Sequence, residues 1–439
     1  MKLSYYNIFV DIDKDKNLIY NTLSDSIAIV DVAVKKSLLK NETCHIPDDI
    51  LSQLEECGII INDSVNEKHI YALRRDYHRF MEKRTYIVLT VTDSCNCACE
   101  YCFESHQNSR GVLSQPINQH IRKFVTSVTL QNDSKVLQID FIGGEPFVAM
   151  KSVVSEMCFY NEWCQKNGVS VFYRFYTNGT ILTPEIQKVL HENRDRIKDL
   201  QITIDGPQNI HDKFRPLKNS GSSYEAIITN LQILKKSSIP VIIRINFNKH
   251  SYQHIPELLD NLIEAGLQDA QIDLYAVQAM TEGCGAFSLA ISDKDTINLF
   301  PIIWEQCINK GFDIKLRPRT SYLYCSASCF SSYVINFKGD VYKCAILQTN
   351  EKYKVGNVSH EGNLVNITDE YYKWMNRNPL EFEKCKNCVL LPICGGGCAG
   401  SAEYKYGSYL MGNCFDMNIL LIKHRLKLYY ETMYNYSVQ

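Results

Sequence analysis

The sequence predicts an α/β protein: a partial (β/α)6 TIM-like barrel, preceded by a small winged-helix-like domain and followed by a cysteine-rich extension. Three observations carry this. Six apolar strand candidates, at 86–92, 136–142, 171–176, 199–204, 240–247 and 270–277, alternate with amphipathic segments of helical length, the pattern of parallel strands with right-handed crossovers. The loop after the first strand reads Cys95-Asn-Cys-Ala-Cys99-Glu-Tyr-Cys102, and a second field of cysteines occupies 325–414. Six repeats fit a partial barrel better than a closed eight-fold one. A doubly wound sheet shares the same local signature, and periodicity alone does not separate the two.

Composition removes several classes of function. The 439 residues carry a net charge of -2 with both signs mixed along the chain, which leaves no footprint for nucleic acid or an anionic membrane. The start, Met1-Lys-Leu-Ser-Tyr-Tyr, has no apolar signal core, and no run approaches the ~18 apolar residues of a membrane span. A cytoplasmic protein is expected. There, 18 cysteines point to metal or cluster binding rather than to disulfides.

Residues 1–83 are expected to form the first domain. Tyr5–Ile12 and Asn17–Asn21 read as two strands around the polar turn 13–16, and Ser24 suits the N-cap of a helix carrying Ile27, Val30, Val34 and Leu38 on one face. A second helix is expected from Pro47 through Leu51 and Leu54 to Gly58, with a short strand 59–61 behind it. Residues 66–83 read as a charged linking helix.

The barrel is expected over 84–310, with its informative residues at the strand ends. Strand two runs into Gly143-Gly144-Glu145-Pro146, strand three into Thr177-Asn178-Gly179, and strand four into Thr203-Ile-Asp205-Gly-Pro207. Each alone is an ordinary turn signal. Together they line one rim, the C-terminal one, where barrels place their chemistry. The cysteine loop lies on the same rim. A four-iron cluster takes four thiolates, so the C-x3-C-x2-C triplet of Cys95, Cys99 and Cys102 leaves one iron open to an outside ligand. Asp273, Tyr275 and Glu282, near the sixth strand's end, read as ordinary rim residues, and no residue is given a catalytic role.

Over 311–439 the order is Cys325, Cys329, Cys344, then Cys385, Cys388, Cys394 and Cys398, then Cys414. Tyr333–Tyr342 reads as a hairpin turning at Lys338-Gly339, which folds the cysteines back towards each other. Eight thiolates suffice for two fully ligated four-iron clusters. Zinc is the alternative for paired C-x2-C units.

The cysteine triplet, the Gly143–Pro146 loop and the run Thr203…Arg215 resemble the radical S-adenosylmethionine (SAM) superfamily. The resemblance implies that Cys95, Cys99 and Cys102 hold a [4Fe–4S] cluster whose open iron chelates the amino and carboxylate groups of SAM. Tyr101 would pack beside adenine, and the loop of Gly143, Gly144, Glu145 and Pro146 would accept from the amino group. Asn178 would face the ribose, and Thr203 and Arg215 the carboxylate, which a guanidinium can grip in bidentate fashion. Cys97 falls off the family spacing and is read as a bystander.

The C-terminal cysteines resemble the SPASM extension of peptide-modifying members. By that resemblance Cys325, Cys329, Cys344 and Cys398 hold a first auxiliary cluster, and Cys385, Cys388, Cys394 and Cys414 a second. The expected cofactors are therefore three [4Fe–4S] clusters and SAM. Cys44, Cys57, Cys97, Cys158, Cys164, Cys284 and Cys307 remain, mostly as expected buried thiols.

The hairpin-then-helices order of residues 1–83 resembles the domain that binds leader peptides of ribosomally made precursors by adding them as an extra strand. The implied function is reductive cleavage of SAM to a 5′-deoxyadenosyl radical, used to install a thioether or carbon–carbon cross-link in such a precursor peptide, with an electron donor such as flavodoxin or ferredoxin. One alternative is a sulfatase-maturase-type oxidation of Ser or Cys to formylglycine; that family looks to an Asp directly after the third SPASM cysteine, where this chain has Ala345. A second is an iron–sulfur scaffold or binding protein without catalysis, which has no need of the Gly143–Pro146 loop.

Overall fold

The structure, a computed structural model, describes residues 1–102, 104, 111–278, 286–415 and 417–436. Glu282 and Cys284 lie outside the described residues.

At the N-terminus, β1 (Lys2–Leu3) precedes β2 (Asn7–Asp11), β3 (Lys16–Asn21) and β4 (Ser26–Asp31), followed by α1 (Val32–Leu39), α2 (Asp48–Glu56), β5 (Ile60–Ile61) and α3 (Glu67–Phe80). β2, β3 and β4 form an antiparallel meander, and β1 pairs with β5. The first hairpin, α2 and the linking helix stand where the sequence places them. The helix expected from Ser24 does not. Residues 26–31 pair with the whole of β3, from Ser26 opposite Asn21 to Asp31 opposite Lys16, and only 32–39 are helical. The β-branched residues of Ser26-Ile-Ala-Ile-Val favour the strand once β3 is there to pair with it. Asp25, at φ 62°, makes the turn, and Ser24 Oγ donates to Cys57 O at 2.7 Å instead of capping a helix.

The six expected barrel strands are β6 (Arg84–Thr92), β7 (Val136–Gly143), β8 (Ser170–Thr177), β9 (Ile197–Thr203), β10 (Val241–Phe247) and β11 (Gln271–Ala276). Between them run α4 (Gln115–Gln131), α5 (Met150–Asn167), α6 (Pro184–Glu192), α7 (Gln208–Phe214), α8 (Ser223–Lys236) and α9 (Ile255–Glu264). The strands are parallel and lie in strict sequence order, with no reversal point. That order separates a partial barrel from a doubly wound sheet, whose strand order reverses.

The sheet extends beyond six strands. After α10 (Ala286–Leu289) and α11 (Asp293–Asn309), β12 (Asp313–Ile314) adds in parallel outside β11. At the opposite edge β13 (Ser332–Ile335) pairs in parallel with β6, and β14 (Asp340–Tyr342), β15 (Gly356–Val358) and β16 (Leu364–Val365) follow in antiparallel. The predicted hairpin is therefore present as β13–β14, with Gly339 at φ 84°, and it continues the barrel sheet. The sheet remains open, because β12 and β16 have no further strand partners among the described residues.

Alternation along the strands sorts side chains onto two faces. Ile87, Leu89 and Val91, Leu137, Ile139 and Phe141, and Ile243, Ile245 and Phe247 are buried against the helices in one core. The opposite face is polar. There Arg174 grips Asp199 in bidentate fashion at 2.7 and 2.8 Å, Gln138 donates to Asp140, and Arg244 lies 3.8 Å from Asp273.

The chain closes with α12 (Asp369–Asn376), α13 (Leu391–Cys394), α14 (Ala399–Tyr406) and α15 (Ile419–Tyr436). Ile8, Val10, Leu18 and Tyr20 of β2 and β3 share a buried cluster with Leu390, Ile393, Cys394, Ile422 and Leu426. Thr22 Oγ1 donates to Val389 O, and Lys68 Nζ to Asn387 Oδ1. The first and last parts of the chain thus build one core. No helix of the described residues is long and apolar enough to cross a membrane.

Leu18 tests this packing. Leu18→Ala is expected to destabilise the protein by about 2–5 kcal/mol, the cost of a cavity that cannot collapse, measured by chemical denaturation. A loss below about 1 kcal/mol would show that the hairpin does not anchor the C-terminal core.

Candidate active site

The site is assembled where the end of β6 meets the end of β7. Gly144 N donates to Thr92 O at 3.0 Å and Glu145 N to Ser94 O at 2.9 Å, so the glycine loop is bonded to the backbone that leads into the cysteines. A Cβ at Gly143, which sits at φ 146°, would stand 2.1 Å from Thr92 O, and one at Gly144 2.5 Å from Ser94 O. Only glycine permits this approach. Glu145 is fully buried, and it accepts from Phe147 N at 2.9 Å, Thr177 Oγ1 at 2.8 Å and Asn178 N at 2.7 Å. Burial pushes its carboxyl up to about 7, against the three donors that favour the charged form. Its side chain therefore ties the end of β7 to the end of β8. Pro146, also buried, starts a single 3-10 turn over 146–149.

The other side of the cysteine loop is paired to residues 214–218. Ala98 N donates to Pro216 O, Glu100 N to Phe214 O and Lys218 N to Asn96 O. This pairing sets Arg215 beside the cysteines. Arg215 Nη1 donates to Tyr101 OH at 2.7 Å, and Tyr101 OH in turn donates to Asp205 Oδ2 and accepts from Asn246 Nδ2. The nearby Arg215 guanidinium helps to lower the Cys99 thiol, although the larger cause is a hydrogen bond from Cys97. Asp205 is buried at the end of β9, where burial pushes its carboxyl up to about 6. Its N–H donates to Nδ1 of His211, whose ring burial holds neutral, down to about 3. Asp205 Oδ1 and Arg215 Nε have no partner among the described residues.

The structure thus brings Cys95, Cys99, Tyr101, Gly143, Gly144, Asn178 and Arg215 to one rim, with differences of detail from expectation. Asn178 Nδ2 donates to Asn96 Oδ1 at 2.8 Å and reaches Cys95 Sγ at 3.7 Å, so it stands beside a cysteine. Thr203 ends β9, half-buried opposite Arg244 of β10. Cys97 lies beside the triplet: it is buried, its N–H donates to Cys95 Sγ at 3.4 Å, and its thiol acts as a hydrogen-bond donor towards Cys95 and Cys99. The bond from the thiol is the main cause that lowers Cys95 to about 6, while burial pushes Cys102 up to about 12. Asn246 is a residue of the site that the sequence reading passed over, while Asp205 and Asn96 stood there only as parts of the rim and of the cysteine loop, without a role. The polar alternation of Arg244 and Asn246 on β10 was the available signal.

The C-terminal thiols form two groups. Burial raises the thiols of Cys325, Cys344 and Cys329, helped by Cys398 beside Cys325 and Cys344 and by Cys325 beside Cys329; burial likewise raises Cys385 and Cys388, helped by the neighbouring Cys414. Cys394 ends α13, and Arg377 faces members of both groups. Glycines again make room: a Cβ at Gly397 would meet Asn413 O at 1.8 Å, and one at Gly412 would meet Cys385 Sγ at 2.5 Å. Cationic side chains line the first group's surroundings. Arg75, Arg79 and Arg377 share a pocket with Cys325, and Lys343 lies buried between Cys329 and Ser332, donating to both carbonyls. Burial pulls Lys343 down to about 7, while the Cys329 and Cys325 thiols act to hold it up. An anionic iron–sulfur cluster fits this setting, in which several thiols meet buried cations.

Of the remaining thiols, Cys164 and Cys307 are buried as expected, whereas Cys44 and Cys158 are exposed, on the solvent side of their segments.

Comparison with known proteins agrees with this geometry. Residues 89–266 match the model of the radical SAM superfamily, and residues 325–389 match the SPASM iron–sulfur cluster-binding domain. A cysteine-type anaerobic sulfatase-maturating enzyme of Clostridium novyi is 23% identical over 76% of this chain and 93% of its own length. The radical SAM cyclopropyl synthase TigE of Paramaledivibacter caminithermalis is 23% identical over 95% of this chain and 90% of its own length. Streptococcus suis SuiB, solved with its precursor peptide SuiA, superposes with a TM-score of 0.55 at 15% identity, covering 95% of this chain and all of that one. The protein is thus a radical SAM enzyme. More particularly, it belongs to the SPASM-bearing, peptide-maturase-like branch of that superfamily, and its cofactors are SAM and three [4Fe–4S] clusters.

Arg215 tests the rim. Arg215→Lys, which replaces a planar fork by a point donor, is expected to weaken SAM binding at least about tenfold in equilibrium dialysis while leaving iron content unchanged. Unchanged SAM affinity would remove Arg215 from the ligand site.

Proposed function

We propose that this enzyme modifies a ribosomally made precursor peptide, using a hydrogen-abstracting radical to install a thioether or carbon–carbon cross-link. When bound, SAM and the cluster of Cys95, Cys99 and Cys102 supply that radical; the protein supplies placement. The glycine loop and Arg215 hold the two ends of the SAM amino acid, Tyr101 is fixed by Asp205 and Asn246, and Glu145 and Asn178 keep the strand ends in register around Cys95. Cys325, Cys329, Cys344 and Cys398 hold one auxiliary cluster, and Cys385, Cys388, Cys394 and Cys414 the other. Electrons enter from a donor such as flavodoxin or ferredoxin.

One observation carries the choice of substrate: the N-terminal meander, an integral part of the core, ends in an unpaired strand. β4 has no partner on its outer side among the described residues, and Ile29 on it is exposed. Such an edge accepts an extended peptide through backbone hydrogen bonds. The cyclopropyl synthase TigE and SuiB, which was solved bound to its precursor peptide, each align with 95% of this chain. The sulfatase-maturating enzyme, matched over 93% of its own length, covers only 76% of it, so about a quarter of this chain has no counterpart there.

Oxidation of Ser or Cys to formylglycine is the competing reading, and the equal identity of the Clostridium novyi enzyme favours it. Against it, Ala345 supplies no carboxylate next to Cys344. The two readings part on the product. With reductant and SAM the reconstituted enzyme is expected to release 5′-deoxyadenosine, with none from Cys99→Ala. A short cysteine- or aromatic-rich peptide encoded beside it should lose two hydrogens without gaining a group that reacts with hydrazides. A hydrazide-reactive aldehyde on the product would instead establish the formylglycine activity.

A further inference from the structure

Four cations are buried around the first auxiliary thiol group; Arg75, 6% exposed, pairs with Asp76 at 2.8 Å, and the carboxylates present do not balance the other three. Lys343 is 2% exposed, Arg377 4% and Arg79 5%. Lys343 Nζ donates only to the carbonyls of Cys329 and Ser332 and lies 4.7 Å from the Tyr333 ring centre. Arg377 donates only to the carbonyls of Tyr409, Gly395, Gly397 and Met411, its guanidinium 5.0 Å from the Phe382 ring centre. Arg79 donates to Ser328 O and Met375 O. The nearest carboxylates are Asp76, 3.5 Å from Arg79 Nη1, and Glu82, which acts on Cys329; both are more than two-fifths exposed. Lys343 and Arg377 thus have no carboxylate partner among the described residues, and a buried charge without one is costly unless an anion shares its cavity.

We infer that Arg79, Lys343 and Arg377 form a cationic collar that raises the reduction potential of the cluster held by Cys325, Cys329, Cys344 and Cys398, making it a stronger electron acceptor than its neighbour. This rests on the reading that those four thiolates hold a [4Fe–4S] cluster. A four-thiolate cluster is an anion that gains one more negative charge on reduction. A fixed positive charge beside it stabilises the reduced form more than the oxidised one, and net charge and hydrogen bonding are among the determinants of cluster potential. The second thiol group is less well supplied: the cations acting on Cys385 are Arg377, shared with the first group, and Lys384, which is exposed. The collar residues come from three separated parts of the chain, α3, the end of β14 and the residue after α12. They are positioning residues that act through the cluster.

The test is a redox titration of the fully reconstituted enzyme, followed by electron paramagnetic resonance, with the first auxiliary signal assigned by its loss in Cys329→Ala. Lys343→Met and Arg79→Met should each shift the reduced-to-oxidised ratio of that cluster at least tenfold towards oxidised at a fixed potential, a fall of about 59 mV for a one-electron couple. The radical SAM cluster should not move. Arg79→Lys, which keeps the charge, should stay at the wild-type potential. Unmoved potentials in both Met variants at full iron content overturn the inference. So does a shift in Arg79→Lys as large as in Arg79→Met, which assigns the effect to packing, or the loss of about four irons from both Met variants, which assigns the collar to assembly. Wild-type protein that holds only about four irons would instead refute the two-auxiliary-cluster reading itself.

Discussion

The site depends on two backbones touching. Thr92, Asp93 and Ser94 lead into the cysteine loop, and Gly143, Gly144 and Glu145 lie against them at hydrogen-bonding distance. The parallel pairing of β6 and β7 sets up this contact by bringing Thr92 opposite Gly143 across an irregularity after Thr90. Any side chain at 143 or 144 would force the loops apart. The buried Glu145 then extends the constraint to Thr177 and Asn178 on β8, and Asn178 returns it to Asn96 within the cysteine loop. Three strand ends and the cysteine loop are in this way fixed relative to one another by hydrogen bonds within the chain. That is the preorganisation required of a site that must hold a reactive species in place.

Much of this was legible in the chain. All six barrel strands lie within two residues of their predicted bounds, because each is an apolar, β-rich run with polar or glycine-rich punctuation. β4 was missed because Ile27, Val30, Val34 and Leu38 satisfy a helical spacing as well as they satisfy a strand followed by a helix. What decides is pairing with β3, a contact that a local pattern does not contain. β12 and β13, two and four residues long, carry too little periodicity to announce that they extend the barrel sheet at both edges. The same distinction holds at the site. Cysteines, glycines and Arg215 declare themselves by type and spacing, whereas the Arg215–Tyr101–Asp205 relay exists only because the cysteine loop and the end of β9 meet in space.

The N-terminal domain has a similar lesson. As a sequence it looks separable, a hairpin, two helices and a short strand before a linking helix. In the fold, the inner face of its hairpin is the outer wall of the second auxiliary thiol group: Tyr6, Leu23 and Tyr71 pack with Cys385 and Leu391, and Leu18 and Tyr20 with Cys394. α3 also delivers Arg79 to the first group. A segment bound along β4 would therefore extend the sheet whose β2 and β3 pack on the cysteine region, with β4 and β3 between it and β2.

Charge separates the two interiors of this molecule. Inside the open barrel the cations have acidic partners: Arg174 is gripped by Asp199 with Asp140 at 4.0 Å, and Arg244 stands near Asp273. Such a surface is close to neutral. Around the C-terminal thiols the balance is broken, since Lys343 and Arg377 are more deeply buried than either barrel arginine yet meet only carbonyl oxygens and aromatic rings. Carbonyls satisfy hydrogen bonds without cancelling charge, so the fold carries an electrostatic cost there unless an anion is resident. The thiols beside these cations are the means of holding one. The same chain has thus built a near-neutral surface inside the barrel and a positive one around the thiols.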